Sequence, residues 1–268
     1  MALHLYPVTI RSISPPIQCL LSRPTTEFRC LHTIIYLHGL NGSRNQIFQD
    51  RYMEFAEAIQ NLGCNLLSIE LPFHGERRQN KEQPAIQNMV KSMVHKENNP
   101  FNAFINDIQK TVDFIIEKKI TRPGEIGVVG LAWGATNAFY ALKTERRIRC
   151  GVVLLPVCKI STLVEFKQLK DQPIIEQYEP LNYVDKIAPK PLLFVTGESD
   201  VRADPVFANE LYDKLLPEYK ETDDQEKLAY TMLLNTGHAF DSQMTQLTVD
   251  WCQKHLLGDN KGPSLLGD

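Results

Sequence analysis

Ile126-Gly127-Val128-Val129-Gly130-Leu131-Ala132-Trp133-Gly134 joins a short β-branched run to a helix-forming stretch at 136–143. Such a run reads as a buried strand, and it is closed by a Gly-x-x-x-Gly that leads directly into the helix. Outward from this junction the same alternation recurs. Upstream, 33–37 is a strand and the amphipathic stretch 46–62 is a helix stopped by Gly63. The segment 64–71 is a strand, and 101–118 is a helix with Ile105, Ile108, Val112 and Ile115 on one face. Downstream, strands at 151–155, 191–195 and 229–234 alternate with helices at 205–216 and 243–257. Two segments of β-formers punctuated by proline, 5–13 and 17–29, read as leading antiparallel strands. The pattern predicts an α/β fold, a mostly parallel central sheet of about eight strands with helices on both faces.

A length of 268 residues is ordinary for one such domain, so 1–268 is read as a single unit. Two stretches break the rhythm, 76–100 and 159–183, and both have the size of cap or lid excursions over the C-terminal edge of the sheet. Ordinary surface connections are the alternative for each. The tail 258–268, rich in Gly, Pro and Asp, reads as flexible. Hydrophobic residues make up 43% and charged residues 23%, with a formal charge of -3, so electrostatics gives no case for nucleic acid. No basic-then-apolar leader and no apolar run of about twenty residues is present, which leads us to expect a cytoplasmic protein without a membrane span. Cys19, Cys30, Cys64, Cys150, Cys158 and Cys252 are scattered without a Cys-x-x-Cys pair and read as buried free thiols.

The glycine-flanked junction acquires meaning from two residues further along the chain. Asp200, in Gly197-Glu198-Ser199-Asp200, comes directly after one strand, and His238, in Thr236-Gly237-His238-Ala239-Phe240, directly after the next. These residues resemble the α/β-hydrolase fold superfamily, in particular its dienelactone-hydrolase-like and prolyl-oligopeptidase-like esterases. The resemblance runs from about residue 33 to 257 and is most specific at the turn, the aspartate and the histidine. It implies that Gly130 to Gly134 form the nucleophile elbow, that His238 is the general base, and that Asp200 fixes its tautomer, with Asp204 as the alternative acid. His38-Gly39-Leu40-Asn41-Gly42 resembles the oxyanion loop, implying the backbone N–H groups of Leu40 and Trp133 as donors to the developing oxyanion. Pro72-Phe73-His74-Gly75 and the approach 180–191 are similar to structural turns of the same family. Arg77 and Arg78, next to the expected mouth, could favour an acidic substrate or simply be solvated.

At the nucleophile position this sequence departs from the family, because Ala132 stands where a serine is required. Alanine has no lone pair with which to attack a carbonyl, so the chain as written should be hydrolytically inactive. Three readings stay open: a serine hydrolase of ester, thioester or lactone substrates whose nucleophile is replaced by alanine; a naturally non-hydrolytic member that binds a ligand or partner; and a His–Asp dyad for lyase or isomerase chemistry. No metal or organic cofactor is implied. The expected partner is a small acyl compound, and the sequence says nothing about oligomeric state.

Overall fold

The computed structural model describes residues 3–24, 31–95, 98–183, 185 and 187–258. Its strands are β1 (Leu5–Ile10), β2 (Ile17–Ser22), β3 (Thr33–Leu37), β4 (Asn65–Ile69), β5 (Ile126–Leu131), β6 (Ile148–Leu154), β7 (Leu192–Gly197) and β8 (Leu228–Leu233). They form one eight-stranded sheet in the order β1-β2-β4-β3-β5-β6-β7-β8. The first two strands pair antiparallel with their neighbours, and all other pairs are parallel. This is the sheet that the sequence pattern predicts, with the junction strand β5 near its centre.

The helices are α1 (Met53–Asn61), α2 (Ala85–Val94), α3 (Pro100–Glu117), α4 (Trp133–Thr144), α5 (Pro173–Tyr178), α6 (Pro180–Tyr183), α7 (Pro205–Glu221) and α8 (Ser242–Cys252). Every residue of β3, β4 and β5 is buried, as expected for parallel strands covered on both faces. Alternate side chains along one strand therefore enter different cores. Ile35, Leu37 and Val128 pack with Phe104 and Ile108 of α3, Ala138 of α4 and Leu211 of α7. Ile34, Tyr36 and Val129 pack with Phe55 and Ile59 of α1 and Met244 and Trp251 of α8. α3 starts where Asn99 accepts hydrogen bonds from the N–H groups of Phe101 and Asn102, with Pro100 in the first turn.

Several boundaries differ from the sequence reading. The expected helix 46–62 is interrupted: two 3-10 turns, Gln46–Phe48 and Asp50–Tyr52, precede α1, and Asp50 has a φ of 46°, which a continuous right-handed helix does not allow. On α3 the buried face is broader than the predicted stripe and takes in Phe101, Phe104, Asp107 and Thr111, while Ile105 is only partly covered. The excursion 76–100 contains α2, and 159–183 contains the 3-10 turns Ile160–Thr162 and Val164–Leu169 before α5 and α6. Cys30, the end of the expected second strand and residues 259–268 of the expected tail lie outside the described residues. The described cysteines are buried, and no disulfide joins them among the described residues. Among the described residues no helix is long and apolar enough to cross a membrane.

Candidate functional site

β5 turns into α4 within a single residue. Ala132 has φ 52° and ψ -111°, a region that L-residues avoid at a cost of about 1–3 kcal/mol. Close packing on both sides holds it there. A Cβ on Gly134 would lie 1.9 Å from the Leu37 carbonyl oxygen, and one on Gly130 would lie 2.2 Å from the Gly134 carbonyl oxygen, so only glycine lets the helix start this close to β3. The Ala132 N–H donates to the Leu154 carbonyl at 2.8 Å and ties the apex to β6. Trp133 is the first residue of α4, where backbone N–H groups have no helical acceptor.

The loops after β7 and β8 bring Asp200 and His238 together. Oδ2 of Asp200 lies 2.8 Å from Nδ1 of His238. The other carboxylate oxygen, Oδ1, accepts the backbone N–H groups of Arg202 at 2.9 Å and Ala203 at 2.8 Å. With its side chain fully buried, Asp200 is held as an acceptor on both oxygens, which assigns the proton of the imidazole to Nδ1 and leaves Nε2 with a free lone pair. The His238 side chain keeps 25% of its surface exposed. Asp204, the alternative acid, does not face the imidazole; it is exposed and caps α7 by accepting the Val206 N–H at 3.0 Å.

The loop after β3 turns through Gly39 to Gly42, with the Gly42 N–H donating to the Gly39 carbonyl at 3.0 Å and Asn41 at φ 60°. His38 grips the same carbonyl, its Nδ1 at 2.9 Å, while its Nε2 accepts the Leu71 N–H at 3.2 Å. A trans peptide places C=O and N–H on opposite sides, so anchoring the Gly39 carbonyl in this way turns the Leu40 N–H away from the anchor. Neither the Leu40 nor the Trp133 N–H has an acceptor among the described residues. Leu40, Ala132, Trp133 and His238 all line one cavity of about 380 Å³, together with Arg51, Tyr52, Leu163, Glu165, Arg202 and Phe240. Such a cavity can hold a carbonyl or carboxylate group between two main-chain donors and an imidazole with a free lone pair.

Residues 96–257 match the prolyl oligopeptidase family. The chain belongs to that family. Solved structures add that this prolyl oligopeptidase family member has the α/β-hydrolase fold. A Thermus thermophilus protein, TT1662, is 18% identical with a TM-score of 0.73 over 94% of this chain and 98% of its own. A Pyrococcus furiosus esterase is 17% identical with a TM-score of 0.64, covering 95% of this chain and 94% of its own. A dienelactone hydrolase from Anabaena variabilis is 15% identical with a TM-score of 0.58, covering 96% of this chain and 100% of its own. No curated protein sequence matches the chain.

One expectation for this prolyl oligopeptidase family chain needs correction. Arg77 is not at the mouth: its side chain is 5% exposed, donates to the Glu70 carbonyl at 3.0 Å and forms a buried ion pair with Asp107. Arg78 folds back onto the carbonyls of Gly75 and Gln83. Neither lines the cavity, so neither selects an acidic substrate there. His74 is fully buried, with Nδ1 2.8 Å from the Pro72 carbonyl, and burial pushes its pKa down to about 3. The excursion 76–100 supplies no residue to the cavity wall, whereas 159–183 supplies Leu163 and Glu165.

Sequence reasoning also missed a charged pair. Arg202, in the turn just after Asp200, reaches Glu165 at 2.6 Å and closes part of the cavity wall. Nothing local in the sequence signals that contact, because the partners are separated by 37 positions. Aromatic packing also ties the excursion to the elbow, through Trp133 on Phe166 with ring centroids 5.6 Å apart, and to α3, through Phe101 on Tyr178 at 4.7 Å.

Proposed function

We propose that the cavity is an acyl-transfer site of esterase type, with residue 132 at the nucleophile position, Asp200 orienting His238, and the N–H groups of Leu40 and Trp133 receiving the oxyanion. The observation that carries this reading is the 2.8 Å contact between Asp200 and His238 in a loop pair that shares its cavity with a strained residue 132. With serine at 132, the hydroxyl attacks the acyl carbon, and His238 Nε2 takes its proton and returns it to the leaving alcohol. Water then repeats the sequence to release the acid. With Ala132 in place no acyl-enzyme forms, and the chain binds an acyl compound without turning it over. The same loss in triad hydrolases is on the order of a millionfold.

The test compares this chain, Ala132→Ser and Ala132→Ser/His238→Ala on p-nitrophenyl acetate and butyrate. Turnover restored by serine and abolished again by the His238 change supports the reading. Absence of turnover on these and on thioester and lactone panels refutes it. Proton transfer that depends on His238 but not on position 132 would replace it with a His–Asp dyad.

A further inference from the structure

Beyond the cavity at Ala132, two further hollows lie between the excursions. One, about 500 Å³, is bordered by Ile86, Val90 and Val94 of α2 and by Glu165 and Gln168. The next, about 690 Å³, is bordered by Met93, Val94, Gln168, Leu169 and Ile174. Glu165 borders both the first hollow and the cavity at Ala132, and Val94 and Gln168 border both hollows. The three spaces therefore adjoin in series, from position 132 to Glu165 and on along the seam between α2 and the turn at Val164–Leu169. Arg202 lines only the end at Ala132. Its ion pair with Glu165 engages Oε1 on that side, while the buried Oε2 has no partner among the described residues.

We propose that this seam is the specificity site for the acyl part of the substrate, and that it takes an extended alkyl chain. The inference rests on the reading of the Ala132 cavity as an acyl site. The carbonyl end sits between the donors of Leu40 and Trp133, the chain passes Glu165, and its methylenes lie on Ile86, Val90, Val94 and Leu169. Charge argues for an uncharged occupant: among the described lining residues past Glu165, the only charged or titratable groups are Lys91 and His95 at the outer rim, and the remaining polar groups are amides. The excursion 76–100, which contributes nothing to the wall at Ala132, thereby contributes one side of the chain site.

Because Ala132 prevents cleavage, p-nitrophenyl esters of two, four, eight and ten carbons serve as uncleaved ligands for the chain as it stands, read by calorimetric titration. Affinity is expected to rise with chain length by up to about fourfold per methylene, the equivalent of about 0.8 kcal/mol each. Val94 is 46% exposed, so Val94→Trp fills the seam without entering the core, and it should flatten the dependence beyond four carbons. Val164→Trp, at a position 73% exposed that lines none of the three spaces, should leave the dependence as it is. Equal affinity for the four- and ten-carbon esters, or the same slope in both variants, overturns the proposal. Titration reads binding alone, so a flat length dependence leaves the hydrolase reading standing, and a lack of turnover in Ala132→Ser leaves the chain site standing.

Discussion

Replacing Asp200 by asparagine in an Ala132→Ser background changes one proton and little else. Asp200 holds the Arg202 and Ala203 N–H groups on Oδ1 at 2.9 and 2.8 Å and the imidazole on Oδ2 at 2.8 Å. Asparagine keeps a carbonyl oxygen under the two backbone donors and turns its NH2 group toward Nδ1. Nδ1 must then accept, the imidazole proton moves to Nε2, and the lone pair needed to take the serine proton is lost. Turnover of p-nitrophenyl butyrate is expected to fall about ten-thousand-fold, or about 5.5 kcal/mol in the barrier. Stability should move by only about 1 kcal/mol, since the loop keeps its backbone hydrogen bonds. Asp204→Ala is the companion, costing about 1 kcal/mol of stability through the lost cap of α7 and leaving turnover unchanged. A loss below tenfold in Asp200→Asn, with the fold intact by thermal unfolding, would refute the assignment of Asp200 as the orienting acid.

The packing around the site sets three other outcomes. Gly134→Ala forces a Cβ to within 1.9 Å of the Leu37 carbonyl and should cost about 3 kcal/mol or more in chemical denaturation, with the elbow displaced. His74 takes a proton near 6.5 when unfolded and near 3 when folded, so the unfolded chain binds more protons in that window and stability falls as the pH drops from 6.5 toward 3. The loss approaches about 5 kcal/mol at the acid end, and His74→Gln should flatten this limb in unfolding measured between pH 4 and pH 7; an unchanged slope would show that His74 is not its source. Arg77→Ala strands the buried Asp107 and should cost about 3–5 kcal/mol, while in the Ala132→Ser background the ranking of acidic against neutral esters stays the same.

How much of this was legible in the sequence depends on the range of the interaction. Parallel strands end at the same edge of the sheet, so a glycine-flanked turn, an aspartate and a histidine placed just after β5, β7 and β8 are brought to one edge by topology alone. Strand identity was equally readable, because doubly covered strands must be apolar throughout. The break at Asp50 was not readable, since its positive φ arises from packing and aspartate only tolerates it. Arg77 was misread for a related reason: the buried carboxylate that claims it, Asp107, lies 30 positions away on α3. The Arg202–Glu165 pair escaped notice in the same way, because it joins the acid loop to an excursion whose path over the sheet has no local code.

Which features of the site speak for a ligand can be separated from those that the fold itself requires. The strain at Ala132 is imposed by the contacts of Gly130 and Gly134 and would persist whatever side chain stood there. The Asp200–His238 contact also has a structural use, because without the imidazole a fully buried carboxylate oxygen loses its partner at a cost of about 1–3 kcal/mol. The two main-chain donors are different. The N–H groups of Leu40 and Trp133 have no acceptor among the described residues, and both residues line the cavity. His38 and Gly42 hold the Gly39 carbonyl so that the Leu40 N–H stays directed away from the loop's own acceptors. Leu40 and Trp133 both border the cavity at Ala132, and the hydrolytic and the purely binding readings proposed above both rest on what their N–H groups would hold there.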